Sequence, residues 1–242
     1  MIKLSIVIPV YNEQAKIEHD IFEADAYLTS KGIAGEIIIV DDGSTDETSA
    51  KAKNAAERIQ SHCIVERSEQ NQGKGHAVRT GILKSRGEYV LFADSGVCVP
   101  FADTQIGIDL IGSGQCQIAC GSRKLSGGHI LRPQSFYRRI CSKLFHWFLI
   151  YDFKKLCNLA DTQCGFKVYR GDVARELYAQ SSIDGFVFDI EVILLAMSSG
   201  YTIREFGVNW TCDPDSRLKP AHEAIRIFVD LVRLKRRFNQ LL

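Results

Sequence analysis

Short apolar segments alternate with helical patterns in the first part of the chain, and this alternation restricts the fold more than any other feature. Residues 4–10 are apolar and largely β-branched, as in a strand covered on both faces. Apolar residues then recur at helical spacing over 17–28, and further apolar strands are predicted at 36–40, 63–65 and 89–93. This order predicts an α/β fold with a mainly parallel sheet between helices, whose ligands bind at the carboxyl ends of the strands.

Length and charge favour one soluble-type domain without an affinity for nucleic acid. The 242 residues are 45% hydrophobic and 24% charged, and 30 Lys and Arg stand against 29 Asp and Glu. We predict one domain over residues 1–220. The remaining residues, 221–242, predict an amphipathic helix that packs on this domain or on a membrane surface, because an apolar stripe is flanked there by arginine and lysine.

The N-terminus enters a strand directly, without the charged and apolar regions of an export signal. We therefore expect a cytoplasmic protein whose eight cysteines are reduced thiols. The longest dense apolar stretch, at 144–151, is much shorter than the roughly 20 residues that a membrane-spanning helix needs. The chain is expected to touch a membrane without crossing it.

Acidic loops follow the first two predicted strands. Glu13 comes shortly after the first strand, and Asp41-Asp42-Gly-Ser ends the second. Each loop could be only a turn with a helix cap. Because the carboxyl ends of parallel strands share one edge of a sheet, we expect the two loops to lie together there.

A lysine between glycines, Gly73-Lys74-Gly75, opens the third predicted helix. Glycine lets the backbone approach a ligand closely, and a helix N-terminus with a nearby lysine favours phosphate oxygens. The spacing is not that of a Walker A loop. The pattern indicates a phosphate contact for Lys74, although a solvated loop charge is the simpler alternative.

In this order, these motifs resemble those of family 2 glycosyltransferases, and especially of dolichyl-phosphate β-glucosyltransferases and the related mannose synthases. The likeness runs from about residue 4 to 238. It includes the segments Gly121-Ser-Arg123, Asp161-Thr-Gln-Cys-Gly-Phe-Lys167, Phe188-Asp-Ile-Glu191 and Val208-Asn-Trp210. The resemblance implies a Rossmann-like GT-A fold and inverting transfer of a hexose, foremost glucose, from a UDP-sugar to a polyisoprenyl phosphate such as dolichyl or undecaprenyl phosphate. Because the segment 221–242 is amphipathic and basic, we expect a peripheral position at the cytoplasmic membrane face.

The resemblance further implies roles for individual side chains. The implied nucleotide contacts are Pro9, Tyr11, Glu13, Asp42 and Lys74. The implied catalytic residues are Asp94, Asp161 and Arg123, and the implied acceptor or sugar contacts are Arg123, Gln163 and Asp189. Any of these acids could instead cap a helix or accept buried hydrogen bonds.

The metal-binding motif departs from the family pattern. Family members usually carry Asp-x-Asp after the fourth strand, but here Asp94 is followed by Gly96 at the second acidic position. Since Mg²⁺ binds through one or two carboxylates plus substrate phosphates, we expect Asp94 to hold Mg²⁺ or Mn²⁺. Gly96 leaves open a catalytically silent module that only binds a nucleotide sugar.

The expected acceptor is an anion and needs little help from a general base. The runner-up is transfer to a soluble or polysaccharide hydroxyl, with a base among Asp161, Asp189 and Glu191. The segment 136–151 combines aromatic rings with arginine and lysine and can rest in a lipid headgroup layer. A core helix or a homodimer helix is the other interpretation of this segment.

Overall fold

The central sheet contains seven strands in the order β3-β2-β1-β4-β7-β5-β8 in the computed structural model, which describes residues 1–132, 159–213 and 220–238. The strands are β1 (Leu4–Val10), β2 (Gly35–Asp41), β3 (His62–Arg67), β4 (Tyr89–Ala93), β5 (Ile118–Ser122), β7 (Phe166–Arg170) and β8 (Ile203–Gly207). A smaller parallel pair consists of β6 (Ile130–Arg132) and β9 (Trp210–Thr211).

Helices connect most of these strands. They are α1 (Ile17–Ser30), α2 (Thr48–Ala56), α3 (Lys74–Lys84), α4 (Thr104–Gly112), α5 (Gly171–Gln180), α6 (Phe188–Ser198) and α7 (Pro220–Arg237), with a 3₁₀ turn at Phe101–Asp103. The strands predicted from the sequence are confirmed to within two residues at each end, and so is the predicted α/β class with a mainly parallel sheet.

Two apolar clusters cover the two faces of the sheet. Val7 faces the cluster that contains α3, α5, α6 and the apolar stripe of α7, whereas its neighbours Ile6 and Ile8 face the cluster of α1, α2 and α4. All three side chains are fully buried. Burial on both faces explains why these strands are apolar at nearly every position rather than at alternate positions.

Strand β7 runs antiparallel to both of its neighbours, β4 and β5. The other strands of the seven-stranded sheet run parallel to one another. The start of β7 therefore lies at the same edge as the ends of β1, β2, β4 and β5. Since Phe166 pairs with Ala93, the turn that precedes β7 lies directly beside Asp94.

A buried carboxylate closes the opposite edge of the sheet. Glu36 accepts hydrogen bonds from the Ser5 hydroxyl at 2.7 Å and from the Arg86 guanidinium at 2.6 and 2.9 Å. Burial favours the protonated acid, but these bonds hold the pKa of Glu36 below its ordinary value. These bonds join the starts of β1 and β2 to the segment before β4 at this edge. The predicted ligand edge is the opposite one, at the carboxyl ends of the parallel strands.

Within the described residues, no helix has both the length and the apolarity required to span a bilayer. The amphipathic segment predicted at 136–151 lies outside the described residues. The cysteines of the described part form no disulfide, and burial raises the pKa of Cys120 and Cys164 to about 12. These two thiols are therefore unreactive, and neither belongs to a metal cluster of described residues.

Candidate functional site

The loops after β1 and β2 are bonded to each other. The backbone N–H of Asn12 donates to the Ser44 hydroxyl at 2.9 Å, and the Asn12 side chain accepts the backbone N–H of Thr45 at 2.8 Å. Asn12 has a φ of 55°, a left-handed conformation that asparagine tolerates better than most residues. Pro9 is buried at the end of β1 and Tyr11 is partly exposed beside this junction. The predicted meeting of the two loops is present in the structure.

Asp42 orders the segment 71–74, which we call the lysine loop. Its two carboxylate oxygens accept the backbone N–H groups of Gln72 at 3.0 Å and Gly73 at 2.8 Å. Burial raises the pKa of Asp42, while these amide bonds oppose the rise. The side chain is only 3% exposed, so its visible role is to position the loop that precedes Lys74.

The backbone at the start of α3 is already satisfied by the protein. The carbonyl of Asp184 accepts the N–H groups of Gly75 at 2.7 Å and His76 at 3.3 Å. The guanidinium of Arg226, on α7, donates a hydrogen bond of 3.1 Å to the carbonyl of Gln72 in the lysine loop. The amides of Gly75 and His76 are therefore not open to a phosphate group, and the predicted phosphate contact of Lys74 stays a prediction that rests on its side chain.

Lys74 reaches the predicted metal ligand instead. Its ammonium group lies 2.6 Å from Oδ1 of Asp94 and 5.6 Å from the centre of the Phe92 ring. The backbone N–H of Asp94 donates to the carbonyl of Gly165 at 2.8 Å. A methyl group on Gly165 would overlap the Asp94 carboxylate, so only glycine leaves room for this arrangement.

Arg123 and Asp161 form a bidentate ion pair at the end of β5. The guanidinium donates to the two carboxylate oxygens at 2.6 and 2.7 Å, and the backbone N–H of Arg123 adds a bond at 3.1 Å. Burial would raise the pKa of Asp161, but the hydrogen bonds from Arg123 hold it below its ordinary value. The guanidinium also lies 5.4 Å from the centre of the Trp210 ring.

Glu205 on β8 fixes the turn that carries Asp161. Its carboxylate accepts the backbone N–H groups of Ala160 at 2.7 Å and Asp161 at 2.8 Å. Gln163, in the same turn, is partly exposed. The turn therefore presents Gln163 beside a rigid Arg123–Asp161 pair.

A continuous series of contacts joins the predicted site residues. Asp42 holds the lysine loop, and Lys74 pairs with Asp94. Asp94 bonds to the turn before β7, which carries Asp161 and its partner Arg123. Acids and cations from four distant parts of the sequence thus converge at one edge of the sheet, as the sequence predicts.

Asp189 lies deeper than an acceptor contact would. It is 5% exposed, and its Oδ1 accepts a hydrogen bond from the buried ammonium of Lys167 at 2.8 Å. Burial would lower the pKa of Lys167, yet Asp189 raises it. The ammonium also lies 5.9 Å from the centre of Phe92, the same ring that Lys74 approaches. This pair forms the floor of the site, so the predicted acceptor role of Asp189 stays a prediction without a contact that favours it.

Asp20 holds the turn that follows β4 and was missed by sequence reasoning. Its buried carboxylate accepts the N–H groups of Gly96 at 2.8 Å and Val97 at 3.1 Å. Val97 has a φ of 45°, which is unfavourable for a β-branched residue and needs such support. A signal did exist, because Asp20 falls on the apolar stripe of α1 between Ile17 and Ile21.

Lys16 and Asp213 form a further ion pair that the sequence did not reveal. The Lys16 ammonium lies 2.5 Å from Oε2 of Glu13 and 2.6 Å from Oδ2 of Asp213. Burial would lower the pKa of Lys16, but the two carboxylates raise it above its ordinary value. Glu13, predicted to contact the nucleotide, is thus anchored through Lys16 to the end of the small sheet.

Asp94 can supply one carboxylate to a divalent cation, and Gly96 supplies none. Among the residues that the structure describes, no group of three or more His, Cys, Asp or Glu side chains is placed to hold a metal ion. Mg²⁺ and Mn²⁺ favour oxygen ligands, and Mg²⁺ often binds through one or two carboxylates together with substrate phosphates and water. The donor set at this edge fits that mode of binding.

A family model described as glycosyl transferase family 2 matches residues 5–178 of the chain. The chain belongs to this family. It is a glycosyltransferase, and the resemblance drawn from its motifs is confirmed.

This glycosyltransferase has curated relatives over nearly its whole length. It is 35% identical to a dolichyl-phosphate β-glucosyltransferase of Dictyostelium discoideum, over 98% of this chain and 75% of the relative. It is 32% identical to the human protein of the same name, over 98% of this chain and 76% of the relative. These identities extend beyond the family model to the C-terminal part of the chain.

Solved structures of the same fold include glucosyl-3-phosphoglycerate synthase from Mycobacterium tuberculosis. Its complex with Mn²⁺, UDP and glucosyl-3-phosphoglycerate superimposes with a TM-score of 0.71 at 18% identity, over 96% of this chain and 78% of that one. Its complex with Mn²⁺ and UDP-glucose gives a TM-score of 0.71 at 17% identity, with the same coverage. At this identity the likeness establishes the predicted GT-A fold of the glycosyltransferase.

Substituting Gly165→Ala should impair this glycosyltransferase without unfolding it. The added methyl group forces the Asp94 carboxylate away from Lys74, while overpacking of this kind costs about 1–3 kcal/mol of stability. We expect kcat/KM for the nucleotide sugar to fall at least about tenfold, corresponding to roughly 1.4 kcal/mol of transition-state stabilisation. Steady-state kinetics and thermal melting measure the two effects. Gly112→Ala is the matched control, since its methyl group would make only a 3.4 Å contact with Tyr89, and unchanged kinetics in Gly165→Ala would refute the steric argument.

Asp20 should make stability depend on pH. Burial raises the pKa of Asp20 to about 7, against about 3.9 in an unfolded chain. Between these values the folded state keeps a proton that the unfolded state has lost, so the contribution of Asp20 to the free energy of unfolding falls as pH rises.

Asp20→Asn cannot ionise and retains an acceptor for the turn. Between about pH 4 and about pH 7, its free energy of unfolding should therefore rise relative to that of the wild type, by up to about 4 kcal/mol. Urea unfolding at several pH values measures the difference. A difference that stays constant with pH would show that Asp20 titrates at its ordinary pKa.

Proposed function

We propose that this protein transfers glucose from UDP-glucose to a polyisoprenyl phosphate, dolichyl or undecaprenyl, with inversion at the anomeric carbon. The observation that carries the proposal is the 35% identity, over 98% of the chain, to an enzyme named for glucosyl transfer to dolichyl phosphate. The donor is supported by the structural neighbour whose own site holds UDP-glucose.

The state of the carboxylates favours an anionic acceptor over a hydroxyl acceptor. A hydroxyl needs a general base, whereas a phosphate oxygen is already a nucleophile at neutral pH. Asp161 is bound by Arg123 and Asp189 by Lys167. Glu191, the third candidate base, is fully buried and pairs with Arg237 at 2.6 Å. None of the three is poised to take a proton from a sugar hydroxyl.

The same pairing favours a single displacement. A double displacement needs a carboxylate nucleophile at the anomeric carbon, and the site carboxylates are engaged by cations or backbone amides. Direct attack by the acceptor phosphate inverts the anomeric centre. Positioning and charge compensation then supply most of the catalysis, with Arg123 facing the acceptor phosphate and Lys74 facing the donor diphosphate.

We further propose Mg²⁺ or Mn²⁺ as the cofactor, with Asp94 as a ligand. A bound cation would neutralise the charge that develops on the nucleoside diphosphate leaving group. Support comes from the Mn²⁺ in the structural neighbour and from the oxygen donor of Asp94.

The outer face of α7 supports peripheral contact with the cytoplasmic membrane face. Ile225 is 80% exposed and Phe228 is 60% exposed, while Leu231 and Leu234 on the inner face are buried in the core. Basic side chains near the C-terminal end of the helix complete an interfacial pattern: Arg233, Lys235 and Arg236. Apolar residues next to cations on one helix face favour an anionic lipid surface.

A transfer assay tests the reaction. The protein is incubated with radiolabelled UDP-glucose, Mn²⁺ and undecaprenyl or dolichyl phosphate in detergent, and label in the organic phase is counted. We expect lipid-linked glucose, and at least about a hundredfold less product with Asp94→Asn, because this change removes a charged oxygen ligand from the proposed divalent cation. Asp172→Asn makes the same chemical change at an exposed pair with Arg170 and should leave the rate unaltered.

Label that appears only on added sugars or polysaccharide would favour the hydroxyl-acceptor reaction instead. UDP binding without turnover, over a panel of nucleotide sugars and both lipids, would exclude the proposed function.

Vesicle flotation tests the membrane contact. The double variant Ile225→Ser, Phe228→Ser should bind vesicles containing phosphatidylserine at least about tenfold more weakly than the wild type, since two exposed apolar side chains are lost from the interface. Ile106→Ser is the control, because Ile106 is an isoleucine that is 45% exposed on a different helix, α4. Wild-type protein that fails to float, or that forms a dimer dissociated by the same double change, would contradict a lipid partner.

A further inference from the structure

The space beside Gly96 is occupied by a carboxylate from another part of the chain. A Cβ atom placed on Gly96 would lie 3.8 Å from both Cγ and Oδ2 of Asp213 and 3.5 Å from Cδ of Lys16. Asp213 follows β9, so it reaches this point from the small sheet rather than from the turn after β4. An aspartate at position 96 would extend its own carboxyl carbon only about 1.5 Å beyond that Cβ. The Asp213 carboxyl group therefore lies next to the place that a second motif acid would reach.

The side chain of Lys16 places its ammonium group beside the Asp213 carboxylate. The Lys16 ammonium lies within 2.6 Å of a carboxylate oxygen on each side, one from Glu13 and one from Asp213. Its side chain is 18% exposed, so the pair is largely shielded from water. Two carboxylates that converge on a shielded ammonium mark a point of strongly negative potential, where positive charge is favoured.

Asp94 lies on the turn after β4, and the Asp213 carboxylate lies beside Gly96 of the same turn. Asp20 fixes the backbone amides of Gly96 and Val97, and Asp94 stands two residues before Gly96 on the same turn. Lys74 pairs with Asp94 in the same way that Lys16 pairs with Asp213. The edge thus has two carboxylates near Gly96, Asp94 two residues before it and Asp213 beside it in space. Each pairs with a flexible lysine that can exchange one anionic partner for another.

We propose that Asp213 provides the second carboxylate for the divalent cation, in place of the acid that is absent at position 96. This inference rests on the cofactor assigned under the proposed function. Two carboxylates with the phosphate oxygens of the donor form the hard oxygen set that Mg²⁺ and Mn²⁺ take. The chain thereby restores a two-acid metal site with residues that are distant in sequence.

Manganese binding tests the assignment without any measurement of activity. The electron paramagnetic resonance signal of free Mn²⁺ is titrated with the full-length protein in the presence of UDP. Asp213→Asn should weaken Mn²⁺ binding at least about tenfold, a typical effect of losing one charged oxygen ligand. Its affinity for UDP in EDTA should remain within about twofold of the wild-type value, since the variant removes a metal ligand rather than a nucleotide contact. Asp172→Asn is the control for the loss of one negative charge.

Lys16→Met separates a ligand role from a structural ion pair. This variant breaks the same pair but leaves the Asp213 carboxylate in place, so Mn²⁺ binding should be retained or tightened. Equal weakening in Lys16→Met and Asp213→Asn would overturn the inference, and so would wild-type binding in Asp213→Asn. If Asp213→Asn fails to fold, anomalous diffraction from wild-type crystals grown with Mn²⁺ and UDP decides the question. Manganese bound to Asp94 and Asp213 supports it, and manganese bound to Asp94 without Asp213 refutes it.

These results are independent of the acceptor. A protein that binds Mn²⁺ through Asp213 but transfers no glucose to lipid phosphate would contradict the proposed reaction and leave the metal assignment intact.

Discussion

The site depends on the close approach of the Asp94 carboxylate to Gly165. Strand β7 enters the sheet against the direction of its neighbours, and its first residue pairs with Ala93. This register places the turn before β7 beside the end of β4, with room for a carboxylate but for no further side chain. A parallel strand at this position would place its preceding turn at the other edge. One antiparallel strand therefore joins the half of the site that carries Lys74 and Asp94 to the half that carries Arg123 and Asp161.

Charge is balanced pair by pair at this edge. Lys74 with Asp94, Arg123 with Asp161, and Lys167 with Asp189 each combine one cation and one anion at hydrogen-bond distance. Buried single charges would be costly, whereas paired and hydrogen-bonded ones can be held in fixed positions. The arrangement positions polar groups before a substrate arrives, which is how preorganised sites lower reaction barriers.

Much of the fold and part of the site could be predicted from the sequence. Apolar strands alternating with helices fixed the parallel sheet, and the residues at strand ends identified the edge where Asp42, Lys74 and Asp94 meet. The missed features are all contacts between segments far apart in sequence. Asp184 blocks the amides of α3, and Asp213 lies beside Gly96. No local pattern encodes such contacts, because they arise only when separate elements pack. Asp20 also contacts a distant segment, at Gly96 and Val97, but an acid on an apolar helix stripe can be noticed without a structure.

The bond from Arg226 to the carbonyl of Gln72 ties the last helix of the chain to a loop in its first third. A domain generally folds as a unit, and synthesis delivers its N-terminal part first. The first strands and α3 leave the ribosome early, but the lysine loop gains this arginine only after α7 has been synthesised. The lysine loop therefore takes its final form late in synthesis, and a nascent chain without α7 lacks one of the bonds that hold this loop.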